Sequence, residues 1–430
     1  MTTVPATAEP TTVRPLSNGK LYKLVIASSI GNALEWFDLI VYGFFAMTIS
    51  KLFFPNTDET VSLLLTLGTF AVSYLIRPLG AMVLGSVADR VGRKAAMLVS
   101  IWLMMLGTFL IAVMPTYATI GLLAPLGIFL ARLIQGFSAG GEFGSATALL
   151  TEHAPERKGL ISSFMFASQG VSGLLGSGFG LLLTSTLTTD QLESWGWRIP
   201  FLFGLLIGPI GLYIRRHIEE ASEFKTAQPA ESPVGELFKA HKVRMLLAVG
   251  ALVLSTSVSY LIIYMPTYAV KQLGLSASLG YTGTLLSGLV LTLMTPLIGH
   301  LSDVFGRTRI MVGASLIFVA TIWPAFNWLV ANPTLGSLLA VLFWMSLLKA
   351  MYFGGLPALM SEIFPTQVRA TGMALSYNIG TTLFGSFTPF IVAWLIGATH
   401  DNLAPSYYLL LTGMLSLVTL IAIRRTLKLS

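Results

Sequence analysis

The stretch GSVADRVGRKAA, residues 85–96, recurs in altered form as GHLSDVFGRTRI at residues 299–310. Both copies keep the pattern G-x-x-x-D-x-x-G-R, and both follow a long apolar run. A second pair, at 150–163 and 360–376, places Ser or Thr before Glu, then Pro, a basic residue and Gly. The two pairs occur in the same order and at nearly the same separation along the chain. This repetition predicts that the protein consists of two related halves.

The composition is that of a membrane protein. The chain has 430 residues, of which 54% are hydrophobic and only 10% are charged, and its mean hydropathy is +0.77. Soluble proteins carry about 25% charged residues, so the surplus apolar surface must face lipid. Apolar runs of membrane-spanning length lie near residues 22–50, 61–87, 95–114, 119–150, 159–187, 197–214, 243–270, 279–300, 309–330, 336–361, 370–397 and 405–423. We therefore predict an all-α membrane protein with twelve transmembrane helices in two pseudo-symmetric six-helix bundles.

The positive charges lie mostly on one side of this arrangement. An even number of spans puts both termini on the same side, and most loop Lys and Arg residues fall there. The loops of the other side have only Lys51, Arg198 and Lys271. By the positive-inside rule, this bias predicts that both termini are cytoplasmic. It also explains the net charge of +7 without a nucleic-acid partner, because no loop interleaves basic and aromatic residues.

The polar segments divide the chain further. Residues 1–19 are rich in Thr and Pro and predict a disordered cytoplasmic tail. Residues 215–242 form the longest internal polar stretch. They predict a cytoplasmic linker between an N-terminal bundle at 20–214 and a C-terminal bundle at 243–430. The sequence has no cysteine, which fits a bacterial inner membrane.

The motifs argue against an enzyme and against an ATP-driven pump. The sequence lacks G-x-x-x-x-G-K-S/T and H-E-x-x-H, and its five His residues do not cluster. We therefore expect no catalytic activity, no metal and no cofactor. A channel is the other alternative, but a two-half repeat within one chain suits alternating access about a central site. The expected functional unit is a monomer.

The sequence resembles the major facilitator superfamily, whose best-known motif is the duplicated loop pattern. Within it, four stretches are similar to the metabolite:proton symporter family: GNALEWFDLIVYGFFA, RPLGAMVLGSVADRVGRK, RLIQGFSAGGEFGSA and WGWRIPF. The resemblance extends from about residue 22 to residue 425 and implies transport of citrate, 2-oxoglutarate, shikimate, proline or betaine. YMPTYAVKQLGLSAS and MSEIFPTQVRATG most resemble the citrate and tricarballylate branch. Thr308 departs from the motif, which has a basic residue there, and predicts a weaker second copy.

Charged residues at span ends predict a conformational latch. A carboxylate and a guanidinium at two helix ends pair in one conformation and separate in another. Such partly exposed pairs are worth about 1 kcal/mol each, enough to bias a two-state equilibrium. The alternative is that these charges are only solvated helix caps and topology signals. The predicted latch residues are Gly85, Asp89, Arg93, Glu152, Asp303, Arg307 and Glu362.

Six charged residues lie inside the spans. A charge at a helix centre costs about 2.5–3.5 kcal/mol on insertion scales, so we expect these side chains to face the protein interior. On span 1, Asn32, Glu35, Asp38 and Tyr42 recur at helical spacing and predict one inward polar stripe. The six charged residues are Glu35, Asp38, Arg77, Arg132, Glu142 and Lys349.

These residues predict symport of an organic-acid anion with a proton. We expect the carboxylates of the anion to lie between the halves, because guanidinium groups bind carboxylates strongly when water is excluded. A buried carboxylate would carry the proton: ionised, it neutralises an arginine, and protonated, it frees that arginine for the anion. The expected substrate contacts are Lys349, Arg132, Arg77, Tyr42, Gln169 and Asn378. The proton-coupling candidates are Asp38, Glu35 and Glu142.

Other interpretations of the same residues stay open. Buried pairs of Arg and carboxylate side chains also hold helices together, and Gln169 and Asn378 lie on small-residue faces typical of helix packing. For Lys349, the alternatives are a local salt bridge and a misplaced span edge. The intramembrane charges cancel, so a zwitterion such as betaine or proline, or shikimate, is an alternative cargo. The residues do not distinguish H⁺ from Na⁺.

Overall fold

The computed structural model describes residues 18–91, 93–140, 142–217 and 233–429, without the side chains of 18, 85–91, 93–97, 142, 145, 207, 210–217, 233–234, 236 and 367. Regular structure in these ranges is helical throughout. Nine helical stretches in them are long and apolar enough to span a membrane, and shorter apolar helices at 98–113, 123–138 and 196–206 supply the others. The predicted all-α class with twelve spans is therefore confirmed. The predicted tail and the centre of the predicted linker lie outside the described residues.

The first half contains spans 1 to 6, three of which are interrupted. The bounds are span 1, α1 (Asn18–Phe44) and α2 (Ala46–Phe53); span 2, α3 (Glu59–Leu75) and α4 (Arg77–Val91); span 3, α5 (Arg93–Val113); the connector α6 (Tyr117–Ile120); span 4, α7 (Leu123–Ser138) and α8 (Glu142–His153); span 5, α9 (Lys158–Thr186); the connector α10 (Thr189–Ser194); and span 6, α11 (Ile199–His217).

The second half contains spans 7 to 12, of which span 11 is interrupted. The bounds are the connector α12 (Pro233–Ala240); span 7, α13 (Lys242–Lys271); span 8, α14 (Ala277–Phe305); span 9, α15 (Arg307–Ala331); span 10, α16 (Leu335–Ile363); span 11, α17 (Arg369–Gly380), a π-helical segment (Thr381–Ser386) and α18 (Thr388–Thr399); and span 12, α19 (Ala404–Thr426).

The interruptions have local causes in the sequence. Span 2 breaks at Ile76, two residues before Pro78, which has no N–H to donate. Span 4 breaks in its small-residue run after Ser138, where Gly140 packs against the backbone of span 2. Neither break was evident from the apolar runs, which continue through both points. Each break frees backbone polar groups close to charged side chains of the same span.

The motif loop of the second half shows why its glycine is needed. Gly306 alone separates α14 from α15, and its φ is +93°. A residue with a Cβ would be strained in this conformation, whereas glycine is not. The tight turn places Asp303 and Arg307 next to each other at the end of the two spans.

Spans 5 and 8 form the most extensive contact between the halves. Glycines allow the two backbones to touch along this contact. A Cβ on Gly170 would lie 2.7 Å from the Thr292 nitrogen, and one on Gly159 would lie 2.4 Å from the Gly299 oxygen. Any larger residue at these positions would push the halves apart.

The seam between the halves is closed at both ends. We call the end that holds Asn18 and Thr426 the terminal face, and the other end the opposite face. At the terminal face, Arg369 pairs with Glu152 at 3.2 Å. At the opposite face, the Tyr281 hydroxyl donates to the Phe44 carbonyl at 2.7 Å, and Lys271 pairs with Glu59. Contacts between the two halves therefore enclose the centre from both sides.

Candidate functional site

Arg77 lies at the seam with an incompletely paired guanidinium group. It opens α4 directly after the break in span 2, and only 1% of its surface is exposed. Its Cζ lies 4.0 Å from the centre of the Tyr74 ring, one turn earlier. Within the described residues, Nε and Nη2 have no hydrogen-bond partner. A buried guanidinium without acceptors is unfavourable unless a ligand supplies them.

Both halves contribute the surroundings of Arg77. Glu35 of span 1 interacts electrostatically with Arg77, as do the phenol groups of Tyr260 and Tyr377 from the second half. The Tyr260 ring lies 5.6 Å from the Tyr74 ring and 6.0 Å from Trp36. We call this set the Arg77 cluster; its members are Glu35, Trp36, Tyr74, Arg77, Gln169, Tyr260 and Tyr377.

The hydrogen-bonding capacity of this cluster matches a carboxylate. The hydroxyls of Tyr74 and Tyr260 are buried without a partner of good geometry among the described residues. The Tyr377 hydroxyl accepts a 3.2 Å hydrogen bond from Gln169 across the seam, so its own proton is free to donate. Three phenol donors and an open guanidinium therefore converge from both halves. A planar anion with several oxygens is the ligand that such donors bind best.

Span 11 closes the seam next to this cluster. The Asn378 side-chain amide donates to the Gly140 carbonyl at 2.6 Å, and Thr382 donates to the Tyr74 carbonyl at 3.1 Å. Asn378 is 3% exposed. In this conformation its amide therefore binds the broken segment of span 4, whereas the sequence predicted a substrate contact.

Asp38 lies inside the first half, away from the Arg77 cluster. It is 8% exposed, and its Oδ1 has no hydrogen-bond partner in the described part of the chain. Gly204 of span 6 packs so closely that a Cβ there would lie 2.2 Å from Oδ1. The Asp38 carboxylate interacts with the Thr108 hydroxyl of span 3 and electrostatically with Arg132 of span 4.

Arg132 holds spans 1, 2 and 4 together inside the first half. Its guanidinium donates to Gln135 Oε1 at 2.7 Å and to Ser73 Oγ at 3.2 Å. The Cζ atom lies 4.8 Å from the centre of the Tyr42 ring. The Tyr42 hydroxyl in turn donates to the Thr66 carbonyl at 3.4 Å. Arg132 and Tyr42, both predicted substrate contacts, are thus held by first-half residues in this conformation.

The polar stripe of span 1 faces inward, as expected, but it does not face one neighbour. Asn32 donates to the Met165 carbonyl of span 5, Glu35 faces Arg77, and Asp38 faces spans 3 and 6. Steps of three residues fall about 60° short of a full helical turn. Two such steps turn the side chain far enough to change its neighbour, so the inward stripe contacts several helices.

Lys349 lies inside the second half, in the middle of α16. It lines a small cavity with residues of spans 7, 9 and 10, among them Ser255, Phe318 and Tyr352. No carboxylate of the described residues forms an ion pair with it, so no local salt bridge is seen. Its position also rules out a misplaced span edge. The structure does not bring Lys349 to the Arg77 cluster.

A stack of aromatic rings crosses the seam between Lys349 and Tyr377. The Lys349 amine lies 4.7 Å from the centre of the Phe353 ring, which stacks on Phe166 of the first half at 4.0 Å. Phe143, next to Phe166, stacks on Tyr377 at 3.8 Å. Separation of the halves at this level would open the stack and expose the lysine to the seam.

The second motif copy forms a network of charges at the terminal face. Arg307 donates to Glu362 at 2.6 Å and to Asp303 at 3.0 Å. Asp303 also accepts hydrogen bonds from two backbone N–H groups at the start of span 5, Gly159 at 2.8 Å and Leu160 at 3.0 Å. The carboxylate thus caps a helix of the other half and favours closure of this face.

The other predicted latch residues divide into two groups. Glu152 pairs with Arg369 across the seam, as a latch requires. The side chains of Asp89 and Arg93, together with Gly85, lie outside the part of the chain described at that level. The same holds for the side chain of the proton-coupling candidate Glu142, which opens α8.

Several members of the site were not predicted from the sequence. Tyr74 and Tyr377 fall within apolar runs, where an aromatic residue is indistinguishable from packing material. Their positions do contain a signal: Tyr74 precedes Arg77 by one turn, and Tyr377 adjoins Asn378. Gln135 likewise follows Arg132 by one turn, on a helix that is otherwise apolar there.

A polytopic helical protein with two related halves, closed at both ends around a buried cation, is a membrane transporter. The chain belongs to the major facilitator superfamily. The family model described as Major Facilitator Superfamily matches residues 29–294, and the one described as Sugar (and other) transporter matches residues 212–428. The resemblance found in the sequence is confirmed, and so is the expectation that the protein is not an enzyme.

Characterised relatives are similar over nearly the whole chain. The citrate-proton symporter of Klebsiella pneumoniae is 38% identical over 93% of this chain and 91% of its own length. The proline/betaine transporter of Salmonella typhimurium is 34% identical over 96% of this chain and 85% of its own length. The inner membrane metabolite transport protein YhjE of Escherichia coli is 36% identical over 94% of each chain.

Solved structures agree on the fold. A D-xylose-proton symporter superposes with a TM-score of 0.74 over 93% of this chain and 97% of its own, at 18% identity. The xylose transporter XylE of E. coli, in a partially occluded inward-open conformation, has a TM-score of 0.74 at 15% identity, covering 95% of this chain and 98% of its own. These structures share the architecture of twelve helices.

Proposed function

We propose that the protein is a proton-coupled symporter of an organic-acid anion, a di- or tricarboxylate such as citrate. The observation that supports this most is the buried guanidinium of Arg77, whose Nε and Nη2 lack acceptors in the described part of the seam. The 38% identity to a citrate-proton symporter supports the same cargo and the same coupling ion. We place the protein in a bacterial inner membrane, with the terminal face in the cytoplasm.

In this proposal the anion binds at the Arg77 cluster. One carboxylate takes the two open guanidinium positions, and the hydroxyls of Tyr74, Tyr260 and Tyr377 donate to the remaining oxygens. Gln169 holds Tyr377 in place through its 3.2 Å hydrogen bond. Asn378 is released from Gly140 when the seam opens and then faces the anion.

Lys349 supplies the second positive charge for a di- or tricarboxylate. Its amine has no counter-ion among the described residues, and it lies against the Phe353 ring, which stacks on the seam residue Phe166. Opening of the aromatic stack brings the amine within reach of a second carboxylate. Arg132 and Tyr42 act from within the first half, by holding span 2 next to the site.

The proton binds to a carboxylate of the first half. Glu35 interacts electrostatically with Arg77, so its ionised form competes with the anion and its protonated form does not. Asp38 interacts electrostatically with Arg132, so its protonation would alter how Arg132 holds span 2 next to the site. Proton binding and anion binding therefore favour each other, which is the requirement for symport. Glu142 is the third candidate for this role.

Alternating access is controlled by contacts at the two faces. Asp303, Glu362 and Glu152 hold the terminal face closed through partners in the other half or the adjoining span. Lys271 and Glu59 do the same at the opposite face. The transporter works as a monomer in this scheme, because both halves of the site belong to one chain.

A zwitterion is the second candidate cargo. Trp36, Tyr74 and Tyr260 present aromatic faces at the seam, and such faces attract quaternary ammonium groups. Glu35 would then balance the ammonium and Arg77 the carboxylate. The proline/betaine transporters among the relatives favour this alternative.

A substrate panel in proteoliposomes tests the proposal. Purified protein is assayed for uptake of labelled citrate, tricarballylate, 2-oxoglutarate, shikimate, proline and betaine under an imposed pH gradient. We expect saturable uptake of a di- or tricarboxylate that collapses with a protonophore and persists without Na⁺. Uptake of betaine or proline alone would replace the proposed cargo with the zwitterion. Conductance without saturable uptake would indicate a channel.

A further inference from the structure

The hydroxyl of Thr108 is oriented differently from the buried threonine hydroxyls that donate within their own helices. Thr66, Thr151 and Thr284 donate to carbonyl groups one turn earlier in their own helices, at 2.9–3.0 Å for the shortest contact of each. Thr108 donates to no backbone carbonyl of the described residues. Its Oγ1 accepts a 2.9 Å hydrogen bond from Gln135 Nε2. The Thr108 proton is therefore not used by its own helix, and the hydroxyl interacts with the Asp38 carboxylate.

The orientation of the Gln135 amide is fixed from its other end. Arg132 Nη1 lies 2.7 Å from Gln135 Oε1. A guanidinium only donates, so the amide must present its oxygen to Arg132 and its nitrogen to Thr108. The result is a line of two hydrogen bonds with one direction, from Arg132 to Gln135 and from Gln135 to Thr108, whose hydroxyl interacts with Asp38. Arg132, Gln135 and Thr108 each have 0% of their surface exposed, so water does not interrupt it.

We propose that Thr108 and Gln135 are positioning residues that transmit the charge state of Asp38 to Arg132. This inference rests on the proposed function, in which Asp38 carries a proton. An ionised Asp38 is an acceptor only and attracts the Thr108 proton, and the hydrogen bonds from Arg132 to Gln135 and from Gln135 to Thr108 have the same direction. A protonated Asp38 has gained an O–H donor and attracts the Thr108 proton less, which weakens the alignment as far as Arg132.

The contacts of Arg132 connect the charge state of Asp38 to span 2. Its second amino group donates to Ser73 Oγ, and Ser73 lies one turn before Arg77 in span 2. Its first amino group also approaches the Leu39 carbonyl, adjacent to Asp38, at 3.4 Å. A shift of Arg132 therefore changes how span 2 is held next to the Arg77 cluster. Proton binding inside the first half is in this way communicated to the seam.

The surroundings of Asp38 leave few other groups that could set its charge. Among the described residues, span 4 presents Arg132 as the charged neighbour, span 3 presents the Thr108 hydroxyl, and span 6 presents Gly204, which has no side chain. The same line of hydrogen bonds would also stabilise the bundle in a purely structural role. The test must therefore measure the protonation state of the Asp38 carboxylate itself.

Infrared difference spectroscopy between alkaline and acidic pH provides this measurement without substrate. The carboxylic acid band of Asp38 is assigned by its loss in Asp38→Asn. We expect Thr108→Val and Gln135→Leu to move the midpoint of this band by about one pH unit, since a hydrogen bond to a charged group has that order of effect. Thr108→Ser, which keeps the hydroxyl, restores the original midpoint. Thr284→Val, a buried threonine of span 8 that donates within its own helix, serves as the matched control.

Transport gives the second readout. In proteoliposomes, Thr108→Val is expected to lose most proton-driven accumulation while its KM for substrate exchange changes by less than about twofold. Unchanged midpoints in both Thr108→Val and Gln135→Leu would overturn the proposal, as would an acid band that persists in Asp38→Asn. Absence of proton-driven uptake in the unmodified protein would instead refute the proposed function, because the infrared result does not depend on it.

Discussion

The side-chain amide of Asn378 donates a 2.6 Å hydrogen bond to the carbonyl of Gly140 in the other half of the protein. Gly140 lies in the break of span 4, where the helix no longer uses all of its carbonyl groups. The bond thus satisfies a buried acceptor and holds the seam closed at the same time. A substrate that drew Asn378 away would expose both an unsatisfied carbonyl and an open seam.

Replacement of Asn378 should shift the protein toward open conformations. We expect Asn378→Ala to cost the closed state about 1 kcal/mol, the usual net value of a hydrogen bond. The natural sequence has no cysteine, so a cysteine placed at Ala374, which packs against Gly144 across the seam, reports opening by its rate of alkylation. The rate should rise about fivefold for that energy. Asn332→Ala, at the end of span 9, should leave it unchanged.

Replacing Arg77 by lysine, which keeps the positive charge, should weaken binding of the transported anion. Lysine cannot provide the planar pair of donors that a carboxylate accepts. We expect Arg77→Lys to weaken binding of the transported anion by about 10- to 100-fold, the effect of losing hydrogen bonds to a charged group. Isothermal titration measures this affinity. Arg198→Lys, at the opposite face, is the matched control, and equal affinities in the two variants would exclude Arg77 from the site.

Loss of the Asp303 carboxylate should open the terminal face. Asparagine presents an N–H₂ group to one of the two backbone N–H groups that Asp303 now accepts from, so at least one hydrogen bond is lost. We expect Asp303→Asn to raise the alkylation rate of the Ala374 cysteine by about tenfold, since hydrogen bonds to charged groups are worth about 1.5–3 kcal/mol. Asp190→Asn, in α10 at the opposite face, should have no effect. A rate that stayed at the parental value would show that Asp303 does not hold the face closed.

Lys349 is expected to lower the stability of the ligand-free protein and to favour citrate over a monocarboxylate. Lys349 has no carboxylate partner in the described part of the chain, so replacing it by an apolar side chain of similar length removes an uncompensated charge. We therefore expect Lys349→Met to raise the melting temperature of the ligand-free protein, measured by intrinsic fluorescence in detergent. Its affinity for citrate should fall while its affinity for a monocarboxylate stays the same. Lys51→Met is the surface control, and a lower melting temperature in Lys349→Met would mean that the amine has a stabilising partner.

Asp38→Asn should preserve substrate exchange but abolish proton-driven accumulation. Asparagine keeps the size of the side chain but neither binds nor releases a proton near neutral pH. We expect the variant to exchange labelled for unlabelled substrate at a rate close to the parental one while accumulating none against a gradient. Its exchange rate should also depend less on pH. Full accumulation would assign the proton to Glu35 or Glu142.

The sequence predicted the architecture because the relevant signals are long and repeated. Twelve apolar runs and a duplicated motif define the spans, and the structure places the ends of span 10 at Leu335 and Ile363, close to the predicted 336–361. The breaks in spans 2 and 4 were not predicted, since a Pro or a Gly pair within an apolar run does not by itself end a transmembrane helix.

The members of the site were predicted less completely. The sequence shows that a charged residue must be buried, but it does not show which residues that side chain contacts. The sequence identified Arg77, Glu35 and Gln169, which the structure brings together at the seam. It also grouped Lys349 and Asp38 with them, yet each lies inside its own half. A charge in a membrane helix must turn away from lipid, but whether it turns to the seam or to the interior of its bundle depends on helix rotation. The contacts inside the bundle, such as the hydrogen bond from Gln135 to Thr108, involve residue types that are too common to stand out.

The glycine contacts between spans 5 and 8 restrict the motions that are open to the protein. Where Gly170 meets Thr292 and Gly159 meets Gly299, the two backbones already touch, so the halves neither slide closer nor separate there without losing their tightest packing. Gly159 also donates to Asp303, so opening of the terminal face must break the packing at Gly159 together with that hydrogen bond. Gly170 lies further along span 5, about 16 Å deeper in the seam at 1.5 Å per residue. The contact of Gly170 with Thr292 can therefore stay closed and act as the pivot when the terminal face opens.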